Sequence, residues 1–165
     1  MHRLVPAVTA LSLVTFVQVA SGQEPASQIV GTWKWVGHVY REVATGRTTH
    51  VFGEKPSGLM AFTKGGNMVY AVFADGRKAP AASPATEAER AALFGTMAAA
   101  AGTYKVEGDM LAITYSGSWN QSWAGTTQER RIEIVGNRLT LSSAPFERPQ
   151  SGQDMVFVVT YERAE

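Results

Sequence analysis

Side chains capable of catalysis or metal binding are few in this sequence of 165 residues. It contains no cysteine, which excludes disulfides, thiolate nucleophiles and zinc–thiolate or iron–sulfur sites. Beyond the N-terminus its histidines are His38 and His50, and neither begins a metal-binding spacing such as H-x-x-E-H or H-x-H. No G-x-S-x-G nucleophile motif is present. We therefore expect no metal and no cofactor, and the available chemistry is that of arginine, carboxylates, hydroxyls and an apolar cavity.

Arg130 is the side chain whose position most needs a chemical explanation. Residues 126–135 form a predicted strand in which Ile132 and Ile134 face the core. The two-residue period of a strand puts Gln128 and Arg130 on that same inward face. A buried guanidinium without a partner would cost several kcal/mol, so it must meet a carboxylate, an aromatic ring or a bound anion. Structural pairing is the simpler interpretation, and the alternative is that Arg130 and Gln128 bind the acidic head of an amphipathic ligand.

Aromatic side chains supply the other candidates for a binding site. The same period of two gives inward positions to Trp35, Tyr70, Tyr115 and Phe157. Buried phenols normally find a hydrogen-bond partner, so each tyrosine is bonded within the wall or available to a ligand. By the same parity His38 shares the face of Lys34 and is expected to point outward, which leaves no inward histidine for a haem.

The elements that must position these side chains are short strands. From residue 30 onward, runs with alternating apolar residues are separated by turn sequences rich in Gly, Asn and Asp, a spacing typical of an antiparallel barrel or sandwich. Eight strands are predicted, or nine if the short second one pairs: 30–41, 48–52, 58–63, 67–74, 102–107, 110–116, 126–135, 138–142 and 154–163. Residues 84–101 break the alternation and predict one helix, with Thr86-x-x-Glu89 as a capping box.

Composition and the N-terminus indicate an exported single domain. Residues 1–22 combine a basic start at Arg3, an apolar stretch and the small-x-small sequence Ala20-Ser21-Gly22, which together are typical of a cleaved signal peptide. Cleavage would leave residues 23–165 as one domain with equal numbers of acidic and basic residues. A balanced charge disfavours binding to nucleic acid, and 45% hydrophobic content disfavours disorder. We expect no membrane span after cleavage, and a secreted or periplasmic protein whose oligomeric state the sequence does not define.

Motifs along the chain resemble those of the bacterial and fungal lipocalin-like domain family, a group of calycin-type barrels. The matching segments follow the family's order and spacing: Ile29-Val30-Gly31-Thr32-Trp33, Phe52-Gly53-Glu54 with Pro56 and Gly58, Gly66-Asn67-Met68, Trp123-Ala124-Gly125-Thr126-Thr127-Gln128 with Arg130, and Asn137-Arg138-Leu139-Thr140-Leu141. The segment 116–123 departs from the family pattern, because a longer Gly- and Ser-rich loop stands where a proline before the tryptophan is expected.

The resemblance implies an eight-stranded up-and-down barrel around a cavity for a small apolar molecule. It also implies that Gly31 and Trp33 close the barrel floor, with Arg163 packed over the tryptophan. If the divergent loop lies at the cavity mouth, Trp119 and Trp123 would contact the ligand and give this chain its own preference.

Three functional hypotheses follow. The first is an exported barrel that binds a small apolar or amphipathic molecule, acidic if Arg130 contacts it. The second is a cofactor-independent isomerase or cyclase that uses the same cavity, which an inward Glu or His close to Tyr70 or Arg130 would favour. The third is a protein-interaction module that uses the outer face or the predicted helix, which a large exposed apolar patch would favour.

Overall fold

The computed structural model describes residues 25–149 and 152–165, so the predicted signal peptide at residues 1–22 lies outside the described residues. Ten strands form one antiparallel sheet in the order β2-β1-β3-β4-β5-β6-β7-β8-β10-β9. Pairing of β1 with β10 closes eight of them into a barrel, and β2 and β9 are short additions outside it. The strands are β1 (Gly31–Glu42), β2 (Thr48–His50), β3 (Ser57–Phe62), β4 (Asn67–Phe73), β5 (Met97–Glu107), β6 (Met110–Ser118), β7 (Thr127–Val135), β8 (Arg138–Ser142), β9 (Phe146–Arg148) and β10 (Gln153–Arg163).

The inward face of most strands follows the predicted alternation. On β6, for example, Leu111, Ile113 and Tyr115 are buried while the residues between them are not. The turns also occur where the sequence predicts them: Gly46, Gly66, Gly108 and Gly136 all have positive φ. The prediction of an all-β antiparallel barrel is therefore confirmed, and its strand alternation establishes which side chains reach the interior.

A bulge in β1 makes one prediction wrong. Pairing with β10 shifts register between Trp35 and Gly37, so β1 carries one extra residue at this point. Trp33 and Trp35 face the interior before the shift, and His38 faces it after the shift. Because successive strand residues alternate faces, a single inserted residue reverses the parity of everything after it. His38, predicted to point outward, therefore points inward.

The helix is shorter than predicted. Helix α2 spans Glu87–Gly95, and its capping box between Thr86 and Glu89 forms as expected. The segment that follows it, Met97 to Ala101, is the first half of β5 and pairs with β4. Alanine favours helix, but burial of Ala98 and Ala100 beside the β4 ladder outweighs that propensity. No helix among the described residues has both the length and the apolar composition that crossing a membrane requires.

One end of the barrel is closed by Trp33. Its side chain is fully buried, and its indole N–H donates a 2.7 Å hydrogen bond to the Ile29 carbonyl just after the short helix α1 (Pro25–Gln28). The Arg163 guanidinium lies 4.2 Å from the Trp33 ring and donates to the Val30 and Gln28 carbonyls. A Cβ on Gly31 would lie 3.0 Å from the same guanidinium. These contacts place Gly31, Trp33 and Arg163 together at the barrel floor.

Candidate functional site

Above the floor, the barrel encloses a cavity of about 190 Å³. Eight of its fourteen lining residues are aromatic, four are aliphatic, and the other two are His38 and Arg130. No carboxylate is among these fourteen, and no cluster of His, Cys, Asp or Glu suited to a metal ion occurs in the described part of the chain. An apolar wall with a few convergent polar groups is typical of small-molecule sites.

Arg130 reaches the cavity from the inward face of β7, as the strand period predicts. Its guanidinium carbon lies 4.4 Å from the centre of the Phe157 ring on β10. It donates to the side-chain oxygen of Gln128 and, at 2.6 Å, to the backbone carbonyl of Glu129. A guanidinium has five N–H donors, so these two bonds leave three for another partner. Burial lowers the pKa of Arg130, and nearby phenols oppose that change. Because a guanidinium is not deprotonated in proteins, Arg130 is charged at neutral pH.

Three phenols interact electrostatically with this guanidinium, those of Tyr70, Tyr115 and Tyr161. Burial raises the pKa of each of them, so all three remain protonated and can donate a hydrogen bond. None of these hydroxyls has a hydrogen-bond partner among residues 25–149 and 152–165. The result is a single positive charge beside three unused O–H donors.

His38 also packs against the Phe157 ring. Its imidazole is surrounded by the rings of Trp35, Tyr40, Phe52 and Phe157, with centroid distances of 5.4 to 6.0 Å. Burial, with a smaller contribution from Arg130, lowers the pKa of His38 to about 4, so the ring is neutral at pH 7. Its Nδ1 is enclosed and has no hydrogen-bond partner in the described part of the chain, and the same is true of Trp35 Nε1.

The sequence contains an indication that His38 points inward, which simple strand alternation does not take into account. Gly37 interrupts an otherwise regular strand pattern, and an isolated glycine inside a strand often marks a bulge. Phe146 was missed for a different reason, because β9 has only three residues and shows no alternation to detect.

The structure brings most of the predicted site residues to one cavity. The predicted residues that line it are Trp35, Tyr70, Tyr115, Trp123, Arg130 and Phe157. Gln128 is not among the lining residues, and its side-chain oxygen accepts a hydrogen bond from the Arg130 guanidinium. Trp119 does not reach the lining and packs between Phe94 of α2 and Trp123, at centroid distances of 5.6 and 6.3 Å.

Large exposed apolar side chains are scattered over the molecule. Those of the described residues are Val43, Leu59, Val69, Phe94, Val135 and Phe146. They are spread over the β1–β2 connection, α2 and four different strands. Of the six, only Leu59 and Val69 lie on directly paired strands, β3 and β4. An interaction module would be favoured by one wide patch, and single exposed apolar residues are ordinary on protein surfaces.

Comparison with known proteins gives one informative match. Residues 30–164, from the start of the first barrel strand to the end of the last, match the family model described as a lipocalin-like domain, which supports a ligand-binding barrel in general. A comparison with curated proteins gives no match. Among solved structures, an uncharacterized protein from Bacteroides eggerthii is 15% identical, with a TM-score of 0.42 over 81% of this chain and 98% of that chain. The match over residues 30–164 shows that the chain belongs to the lipocalin-like domain family.

Proposed function

We propose that this barrel binds a small amphipathic acid in its cavity, with the acidic group on Arg130. The observation that carries the proposal is the arrangement around that guanidinium. It has three unused donors, it lies among the phenols of Tyr70, Tyr115 and Tyr161, and no carboxylate lines the cavity to neutralise it.

The charge balance of the cavity favours an anion over a neutral ligand. A buried cation is stable only when its charge and its donors are satisfied, and the Phe157 ring contacts only one face of the Arg130 guanidinium. A carboxylate has about four acceptor positions, so it can take two parallel bonds from Arg130 and further bonds from the phenols. The apolar remainder of the ligand would pack against the aromatic wall.

Replacement of Arg130 tests this proposal. Phenylacetate, hexanoate and dodecanoate would be titrated by isothermal calorimetry alongside the alcohols of matching carbon skeleton. We expect the acids to bind about tenfold or more tightly than the alcohols, because a charge-assisted bidentate pair contributes about 1.5–3 kcal/mol. Arg130→Leu should remove this preference and leave the alcohols nearly unaffected.

Arg131→Leu is the matched control. Arg131 is the next residue of β7, points outward, is 65% exposed and pairs with Asp109. Its replacement removes the same charge from the chain without changing the cavity, so acid binding should persist. Equal affinity for acids and alcohols, or unchanged acid affinity in Arg130→Leu, would remove Arg130 from the site. No binding of any panel member would refute the binding function itself.

A second candidate function is a cofactor-independent isomerase, and the inward, neutral His38 is the observation that favours it. The imidazole would take a proton from a carbon next to a carbonyl of the ligand, and the C–H electron pair would move to form an enolate beside Arg130. Return of that proton to another atom of the ligand completes the isomerisation, and nothing is oxidised or reduced. Phenylpyruvate in D₂O, followed by NMR, would exchange its benzylic hydrogen faster with the protein than with His38→Phe. Equal rates would refute this candidate.

We further propose that residues 1–22 are a signal peptide and that residues 23–165 form the exported domain. The basic, apolar and small-residue segments in that order support the proposal. Mass spectrometry of the protein from its source should find a chain that begins at Gln23. An intact Met1 or an unexported protein would refute it.

A further inference from the structure

The size of the cavity limits what it can enclose. An apolar cavity of roughly 150 Å³ is sufficient for benzene. The volume here is about 190 Å³, which leaves room for one ring and small substituents. The lining of eight aromatic side chains offers ring faces and edges to such a ligand. A long alkyl chain would have to extend outside the cavity.

Two polar groups of the cavity contact the Phe157 ring. The guanidinium carbon of Arg130 lies 4.4 Å from the ring centre. The imidazole of His38 packs against the same ring, with ring centroids 5.4 Å apart. A ligand that places an acid on Arg130 therefore has a second polar wall group within the same small cavity.

The chemistry of that second group restricts its partner. A neutral imidazole has one donor nitrogen and one acceptor nitrogen. Nδ1 is enclosed, so Nε2 is the nitrogen left to meet a ligand. A hydroxyl can both donate and accept, so it matches Nε2 in either tautomer, whereas an alkyl substituent would leave the nitrogen without a partner.

We propose that the preferred ligand is a single-ring aromatic acid that carries a ring hydroxyl, with its carboxylate on Arg130 and its hydroxyl on His38. This inference rests on the proposed acid-binding function and adds the ligand's size and its second polar group. The titratable and charged groups that face the cavity beside His38 are Arg130 on β7, Tyr40 on β1, Tyr70 on β4, Tyr115 on β6 and Tyr161 on β10.

A comparison of ligands that differ by one hydroxyl tests the proposal. Phenylacetate and its 2-, 3- and 4-hydroxy isomers carry the same charge on the same ring. At least one hydroxylated isomer should bind the protein about five- to tenfold more tightly than phenylacetate, the difference expected for one buried hydrogen bond. His38→Phe should abolish that advantage, so that the hydroxylated isomers bind this variant no more tightly than phenylacetate does, because the hydroxyl then has no imidazole partner. His50→Gln is the control, since His50 is exposed on β2 and should change neither affinity.

The possible outcomes separate this inference from the binding function. If phenylacetate binds but no hydroxylated isomer binds more tightly, or if the advantage survives His38→Phe, the hydroxyl contact is refuted and acid binding stands. Tighter binding of dodecanoate than of every single-ring acid would refute the size limit. If no acid binds, the acid-binding proposal itself fails. Should His38→Phe not fold, NMR of the imidazole nitrogens in the unmodified protein decides, because the hydroxylated acid must shift the Nε2 resonance more than phenylacetate does, and equal shifts would refute the contact.

Discussion

Acidification should destabilise this barrel through His38, beginning at a pH above the range in which carboxylates titrate. In the folded protein the pKa of His38 is lowered from 6.5 to about 4, mainly by burial among aromatic rings and then by Arg130. The unfolded chain therefore binds a proton at His38 in a pH range where the folded chain does not. Because the unfolded state binds more protons, stability rises with pH across this window and is complete above about pH 6.5.

The size of the effect follows from that shift. Each pKa unit corresponds to about 1.4 kcal/mol, so lowering the pH from about 7.5 to about 5 would remove roughly 2 kcal/mol of unfolding free energy if the ring were fully enclosed. The cavity is open at its mouth and part of the His38 ring is accessible. Solvent therefore reduces the expected loss to about 1–2 kcal/mol.

Urea denaturation followed by tryptophan fluorescence at the two pH values would measure this loss. Glu42 adds little between these two pH values, because the stability gained from its lowered pKa, caused by hydrogen bonds from Thr45 and Arg47, is lost only as the pH falls towards the ordinary value of 4.5. His38→Phe should flatten the difference between pH 7.5 and pH 5. His50→Gln, on the exposed β2, should retain the slope of the unmodified protein.

Two results would contradict this reasoning. A loss below about 0.5 kcal/mol between the two pH values would show that the imidazole is solvated in the fold, since a shift of more than two pKa units requires more. A full loss that persists in His38→Phe would assign the pH dependence to another group. Either result would also count against the explanation that the bulge in β1 places His38 inside the barrel.

Other substitutions give equally specific expectations. Gly102→Ala should destabilise the barrel by about 1–3 kcal/mol in thermal denaturation, because a Cβ there would lie 2.1 Å from the Thr114 carbonyl oxygen. Gly117→Ala, where a Cβ meets nothing within 4 Å, should stay within about 0.5 kcal/mol, and a loss as large as that of Gly102→Ala would refute the steric argument. Arg163→Leu should cost about 2–4 kcal/mol, because it removes the cation over Trp33 and two hydrogen bonds to backbone carbonyls. An unchanged midpoint for Arg163→Leu would show that the floor closes without this residue.

Much of the cavity wall was predictable because it depends on local alternation. Gln128 and Arg130 share the face of Ile132, and Tyr115 shares the face of Ile113, so strand parity alone put them inside. The same reasoning failed at His38, because parity is preserved only while no residue is inserted. A second prediction failed at Ala98 and Ala100, which were expected to lie in a helix. Their helical propensity is outweighed by pairing with β4, a strand distant in sequence.

The amino-acid sequence by itself determined the all-β antiparallel class, the turn positions and the inward path of Arg130, since these follow from a two-residue period and from glycine conformations. Only the tertiary structure decided which polar groups meet. Closure of β1 against β10 brings His38 and Phe157 together, residues that are far apart in the chain. The register of that closure, with its single bulge, turns His38 toward Arg130 and gives the cavity its second polar group.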